Sequence, residues 1–402
     1  MKTAKLADIA HIQTGPFGSQ LHKEDYVDDG TPIVTVEHLG RRKLSNKNVP
    51  FVSESDAHRL SKYSLEQGDI VFSRVGSVDR CSQVSENEAG WLFSGRCLRV
   101  RPNDSMIDPD YLYYFLTLPK TQEFIRAIAV GATMPSINTS LLGEVDIDLP
   151  PLSEQVGIAK GLGALDDKIV ANRRVIEKIH ALLHAKWHAI TSTGASSTQP
   201  ISSIADVNPR MPKPHRGECS FLEMKDLPEF GLIVDHWASR ATKGGTKFKN
   251  GDILLARITP CFENGKMAIV DFLEDDEVGM GSTEYIVFRP KEGIPAAAIH
   301  AIIASPEFRG FGYKALTGTS GRQRIAAGDL KEIAVPWPAE SSLAEYRLLA
   351  HALVEKATAL RNENQALART RDELLPLLMS GRITVGEAEE AADVAGTAAS
   401  ES

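Results

Sequence analysis

The chain has 402 residues, 42% hydrophobic and 24% charged, with a formal net charge of −8. That length exceeds one small core and implies two or three domains of ordinary globular composition. It excludes a membrane span, since no apolar run approaches about 18 residues; the acidic balance argues against a generic nucleic-acid coat but leaves DNA binding open, because charge can be segregated by face. Met1 to Ala10 lacks the apolar core of a signal peptide, so a cytoplasmic protein is expected. Cys81, Cys97, Cys219 and Cys261 show no CxxC spacing, so neither a zinc knuckle nor a disulfide framework is expected.

An internal repeat of about 185 residues organises the chain. Gly68-Asp69-Ile70-Val71-Phe72-Ser73-Arg74 recurs as Gly251-Asp252-Ile253-Leu254-Leu255-Ala256-Arg257, and Leu98 to Pro102 recurs as Ile286 to Pro290. Val145 to Pro150 answers to Ile333 to Pro338. Each copy opens with short β-rich runs, such as Pro32 to Val36, broken by Gly and polar turns. A helix follows over Asp108 to Ile128, opened by Asp108-Pro109 as cap and first turn, and over Pro295 to Phe311 in copy two. Prolines at 150–151 and at 336 and 338 then stop a strand and prepare a long helix. Thr191 to Pro200 reads as a linker. Residues 384–402, poor in anything to bury, read as a disordered tail.

The long helices run from about Ser153 to Ile190 and from about Leu343 to Met379. Their apolar residues step by three and four, the seam of a coiled coil. The first seam includes Leu162, Leu165, Ile169, Asn172, Ile176, Leu183, Lys186 and Ile190, and the second includes Tyr346, Leu353, Leu360, Asn364, Leu367, Arg371 and Leu374. Setting Asn172 opposite Asn364 in antiparallel register puts Leu162 on Leu374, Ile176 on Leu360, Leu183 on Leu353 and Ile190 on Tyr346. An Asn pair in such a seam costs stability but fixes register. Leu165 on Arg371 and Lys186 on Ala350 are the poor layers, where the cations would snorkel. The expected architecture is α+β: two pseudo-symmetric mixed α/β domains, residues 1–150 and 193–338, separated by an antiparallel two-helix coiled coil of residues 151–192 and 339–383.

Enzyme motifs fail on inspection. Asp108-Pro109-Asp110-Tyr111 lacks the second proline of an amino-methyltransferase loop and opens a helix. Gly161-Leu162-Gly163 lies inside the helical seam, Gly265-Lys266 has no Walker context, and no GxSxG elbow occurs. His180 and His184 have helical metal spacing, but a solvated or partner-facing surface explains them better than zinc, so no metal is expected. No catalytic residue is assigned.

Polar loops at matched places in the two copies carry the binding expectation. In copy two they hold Arg257, Thr259, Glu263, Asn264 and Lys266, then Ser282 and Thr283, then Arg322, Gln323 and Arg324. These residue types suit base edges: Arg and Lys for guanine, Asn and Gln for adenine, Glu for cytosine. Lys243 and Lys247 suit phosphates, which position without specifying. Copy one offers Arg74, Arg80, Arg96 and Thr133, with Ser19 in the Gly15-Pro16-Phe17-Gly18-Ser19 opening and Arg41 and Arg42 in a basic cluster. Plain solvent exposure is the simpler reading of any single loop; three together, matched by a second copy, weigh against it.

These residues carry a family likeness. To about Ile383 the chain resembles the specificity subunit of a type I DNA restriction–modification system. Ile258 to Lys266, Gly281 to Glu284 and Gly321 to Arg324 are similar to one form of its target-recognition domain, and the Gly15 to Ser19 opening to another. The junction Leu149 to Gln155 and the ending Leu374 to Ile383 also match, whereas Ala339 to Tyr346 lacks the Glu-Gln pair of the first junction. The resemblance implies a non-catalytic subunit that binds a split, asymmetric site on double-stranded DNA, with the helices setting the spacer. It implies two modification subunits that carry S-adenosylmethionine, restriction subunits that translocate on ATP, and no cofactor on this chain. Helix positions Lys168, Arg173, Lys178 and His184 are candidates for docking, with a solvated face as the simpler reading of each. A protein-binding scaffold or decoy without DNA reading is the alternative.

Overall fold

The computed structural model describes residues 2–387 except 41, 193, 194, 213, 215, 216, 242, 243 and 320, with the backbone alone described at 19, 195 and 196. The chain forms two compact units, Met1–Asp167 with Leu367–Ser402, and Lys168–Ala366. Each is mixed α/β. Among the described residues no helix is long and apolar enough to cross a membrane.

The central sheet of the first unit runs Ala10–Thr14, Cys97–Pro102, Ile70–Ser73, Cys81–Gln83, all antiparallel. That of the second runs Ala205–Val207, Tyr285–Pro290, Ile253–Ala256, Met267–Ile269, in the same order. The repeated Gly-Asp-Ile motif makes the most buried strand of each. Alternate residues of a strand face opposite sides of the sheet. Ile70 and Phe72 accordingly enter one core and Val71 another, while Ile253 and Leu255 separate from Leu254 in the second unit. A strand covered on both faces must be apolar throughout, which accounts for the unbroken runs.

The rest of the motif is electrostatic. Gly68 and Gly251 take φ of 90° and 87°, a left-handed turn that disfavours a side chain. The turn delivers Asp69 and Asp252 into the sheet as buried carboxylates. Asp69 accepts the Glu66 amide at 2.8 Å and two bonds from Arg101; Asp252 accepts the Lys249 amide at 2.9 Å and two bonds from Arg289. Gly-Asp and Arg-Pro recur together because each aspartate needs its arginine: an ionised buried carboxylate is tolerated only when paired.

A second, smaller sheet covers the outer face. Its shared element is a parallel pair, Thr31–Val34 with Leu92–Phe93 and Cys219–Leu222 with Gly279–Gly281. The flanking strands join this pair differently in the two units.

Four sequence expectations are corrected. Each single helix after the sheet is two: Pro109–Leu116 and Pro119–Ile128, then Ala296–Ala304 and Pro306–Lys314. Pro119 and Pro306 cannot donate to a continuing helix and instead open the next one. The Asp108 cap does form, its carboxylate accepting the Tyr111 amide at 2.9 Å. The supposed linker holds the last turn of a helix and a strand, Ala195–Pro200, antiparallel to Ala334–Pro338. It matches the Lys2–Lys5 pairing with Asp146–Leu149 in the first unit. A two-stranded ribbon draws on main-chain bonds, so a Ser/Thr-rich segment can supply it. At the tail, Ile383 and Val385 pack on the first unit's core, and Thr384 bonds Glu387 at 2.8 Å. Residues 388–402 of the expected tail lie outside the described residues.

The long helices span Leu152–Ser192 and Glu340–Met379. Gln155 explains the first junction. Its amide bonds the Pro150 carbonyl at 2.8 Å and accepts the Asp108 amide at 2.9 Å. The second helix lacks this residue and starts at Glu340, with one residue between it and Pro338. Within each unit the two helices pack on one another, antiparallel. In the second unit Asn172 donates to Asn364 at 3.0 Å and to Glu363 at 2.8 Å, the register read from the sequence. In the first unit Ile158 and Leu162 share a core with Leu375 and Leu378.

The two poor layers resolve otherwise than expected. Arg371 is buried and pairs not beside Leu165 but with Asp166, which also accepts the Tyr114 hydroxyl at 2.7 Å. Lys186 is exposed, and the next residue, Trp187, enters the core instead. Its ring lies 5.2 Å from Tyr346 and 5.6 Å from Trp337, and Tyr346 donates to the Leu183 carbonyl at 3.3 Å. The indole takes the seam, so Tyr346 meets Trp187 and Leu183, and Ile190 packs on the same core.

Candidate nucleic-acid interface

In each unit the buried central strand ends on an arginine, Arg74 or Arg257, and the loops gather around that point. The Arg74 amide donates to the Arg96 carbonyl at 2.8 Å, and the Arg74 carbonyl accepts the Ile137 amide at 3.0 Å. The Arg257 amide donates to the Glu284 carbonyl at 2.9 Å, and its carbonyl accepts the Ile325 amide at 3.0 Å. The same two bonds, at equivalent places, tie three separate loops together in both units. The loops singled out from sequence are therefore brought side by side.

In the first unit the Gly15-Pro16-Phe17 opening joins this cluster. A Cβ on Gly15 would stand 2.2 Å from the Ser94 carbonyl oxygen, so only glycine permits the approach. Arg74 donates to the Gly95 carbonyl at 3.2 Å and lies over the Phe17 ring. Arg80, Arg96 and Thr133 are exposed. So are two apolar side chains, Phe17 and Met134, each 64% accessible.

In the second unit the cluster is held by polar bonds. Arg324 grips Glu284 through Nε and Nη2 at 2.8–3.0 Å, and that grip holds the Glu284 carboxyl below the usual carboxylate range. Gln323 donates its amide to Thr259 Oγ1 at 3.0 Å. Glu263, Asn264, Thr283 and Arg322 are exposed. Ser282 is half-buried and accepts the Glu284 amide at 3.2 Å. The half-buried Arg257 has a buried Nε with no hydrogen-bond acceptor among the described residues.

Several sequence-predicted residues have other employment. Lys266 directs its ammonium at the carbonyls of Met224, Lys225 and Leu227, all within 3.2 Å, so it braces its loop instead of reading a base. Thr259 is buried and acts as the strut for Gln323. Lys247 donates to the Met211 carbonyl at 3.0 Å. Arg42 turns to the first long helix, donating to the Gly163 carbonyl and to Asp167 at 3.2 Å each. Lys168, offered as a docking residue, pairs with Glu363 at 3.4 Å. Arg41, Lys243 and the Ser19 side chain lie outside the described residues. Sequence reasoning missed Arg309, a buried arginine that donates to the Phe262 carbonyl and stacks on Phe230, Phe262 and Tyr313, fixing the 261–266 loop. Nothing in its Pro-Glu-Phe-Arg context signals that role.

Each of the two units follows one duplicated plan: a central antiparallel sheet whose buried strand ends at a cluster of three loops. The model of the type I restriction modification DNA specificity domain matches residues 1–181. A putative type I restriction enzyme MjaX specificity subunit from Methanocaldococcus jannaschii is 25% identical over 409 residues, covering 95% of this chain and 93% of that one. The EcoAI specificity subunit of Escherichia coli is 32% identical over 145 residues, 34% of this chain and 24% of its own. The crystal structure of a type I S subunit from M. genitalium shares the fold, with TM-score 0.55 and 15% identity over 94% of this chain and 95% of that one. Residues 1–181 thus match the type I specificity domain, and over nearly its whole length the chain is similar to a type I specificity subunit.

Proposed function

We propose that the two loop clusters each read one half of a bipartite, asymmetric DNA site, and that the helix pair sets the unspecified spacer. The carrying observation is the matched pair of main-chain bonds that assembles three loops around Arg74 and around Arg257. A fixed frame with variable fillings is what two different half-sites require. Exposed Arg80, Arg96 and Arg322 offer bidentate donors for guanine, and Asn264 suits adenine. The net charge of −8 does not oppose this, because these cations are gathered at the loop ends.

The chain is then the non-catalytic reader of a larger assembly. Two modification subunits carrying S-adenosylmethionine would dock on the helices, and ATP-driven restriction subunits would join them. The exposed faces of the long helices, with Val175, Leu182 and Leu348 accessible, offer apolar anchors for docking. Methylome sequencing of a host with and without this gene tests the proposal. The expected result is loss of one split adenine-methylation motif. Replacing Arg322 should then alter only one half of that motif, and inserting a heptad in both helices should lengthen only the gap. A change in both halves on Arg322→Ala, or an unaltered gap after insertion, overturns it.

A further inference from the structure

Three histidines meet at the edge of the second unit's core. His180 and His184 stand one turn apart on the first long helix, and His300 projects from the Ala296–Ala304 helix. His180 Nε2 lies 3.0 Å from His184 Nε2, which lies 3.0 Å from His300 Nδ1, and the three ligand nitrogens fall within 4.8 Å of one another. His300 is fully buried and the other two half-buried. Sequence spacing alone presented two of these residues and favoured a solvated surface; the third comes from more than a hundred positions away.

Hydrogen bonding does not satisfy this cluster. His300 Nε2 is 2.8 Å from the Gly231 carbonyl and must donate there, so its Nδ1 carries a lone pair aimed at His184. A neutral imidazole nitrogen holds one proton or one lone pair, never both. His184 Nε2 faces two ring nitrogens at equal distance. If it is bare, two lone pairs oppose each other. If it is protonated, a single hydrogen must serve both neighbours. A cation accepts all three lone pairs at once.

The dimensions fit such a cation. Tetrahedral zinc with Zn–N of about 2.0–2.1 Å places its nitrogens about 3.3 Å apart. Two of the edges here are 3.0 Å and need only a small opening. The i,i+4 pair on one helix face is a ligand spacing metalloproteins use. The Gly231 carbonyl fixes the His300 ring as an outer-shell acceptor does in histidine–metal sites. Imidazole selects first-row transition dications over magnesium or calcium.

We propose that His180, His184 and His300 bind one first-row transition-metal dication, zinc being the best match, with a water as fourth ligand on the accessible side. The ion staples the first long helix to the second unit's globular core. Its role is structural: removing it frees the helix face at the rim of the cluster containing Ile179 and Leu183.

The full chain, purified without a polyhistidine tag and stripped with EDTA, tests this. Zinc is titrated against a chromogenic chelator, and cobalt is added to look for the visible bands of a tetrahedral complex. The wild type should bind one equivalent of either and unfold at higher temperature when loaded. His184→Gln and His180→Gln, at half-buried positions that should leave the fold intact, should weaken binding by at least the roughly 10–100-fold that loss of an outer-shell partner costs. His351→Gln, an exposed histidine on the second long helix, should bind as wild type does. Wild-type affinity no tighter than that of His184→Gln, or equal loss in His351→Gln, overturns the site.

Discussion

The two loop clusters share a frame and differ in what fills it. Around Arg74 the first unit relies on packing: arginine over the Phe17 ring, glycine against a carbonyl, and Phe17 and Met134 left in solvent. Around Arg257 the second unit relies on charge and hydrogen bonds: Arg324 on Glu284, Gln323 on Thr259, Lys266 on three carbonyls. The frame is main-chain and so survives sequence change; the filling is side-chain and diverges freely. A duplicated chain can in this way vary the filling of each copy without changing its fold.

The largest expected effect falls on the common frame. Arg289→Ala leaves the fully buried Asp252 without its partner, and breaking a buried pair costs about 3–5 kcal/mol. Arg101→Ala in the first unit should cost less, because Arg101 is more exposed than Arg289. Denaturant unfolding of both variants measures the difference; equal losses would mean that burial does not govern these pairs. Next come the fillings. Arg322→Ala should weaken target binding by about 1–3 kcal/mol and relax only the half-site read by the second unit. Arg96→Ala should do the same for the other half. Binding assays on targets mutated in each half would show whether the two effects are confined as expected. Thr259→Val should cost about 1 kcal/mol of stability by removing the Gln323 amide's acceptor, seen as a lower unfolding midpoint.

The repeat, the buried strands, the Asn172–Asn364 register and the loops that would meet were legible because each leaves a local pattern: a period, an apolar run or a cluster of polar types. The single helix read over 108–128 ignored a signal present at Pro119. The strand at 195–200 left none, since ribbon pairing asks nothing of its side chains. Arg42 and Lys266 looked like free cations because the carbonyls that hold them lie far along the chain. Arg371 looked misplaced until Asp166, outside the apolar series, proved to be its partner. His300 likewise gives no cue that it joins His180 and His184. Pairings over long sequence separations are where composition and spacing stop being informative.

The smallest effect distinguishes the two fillings by their response to acid. Glu284 holds the loop at 317–324 through Arg324, and its carboxyl titrates below the ordinary value of 4.5 because of that bond. A group whose folded value is depressed stabilises the native arrangement above the unfolded value and loses this as pH falls through the folded one. Amide exchange at Gln323 and Arg324, whose amides bond Thr259 and Thr317, should therefore stay protected near neutrality and rise once pH drops below about 4.5, after correction for the intrinsic rate. Glu284→Gln should show raised exchange already at neutral pH, with no further step. The amide that ties the first unit's loop to its frame, Ile137, bonds the Arg74 backbone carbonyl, and the Arg74 side chain leans on a carbonyl and a ring, none of which titrates in that range. Its protection should stay level across the same window. A parallel rise at Ile137 would mean that acid loosens both frames together, and the contrast between a packed and an ion-paired cluster would not hold.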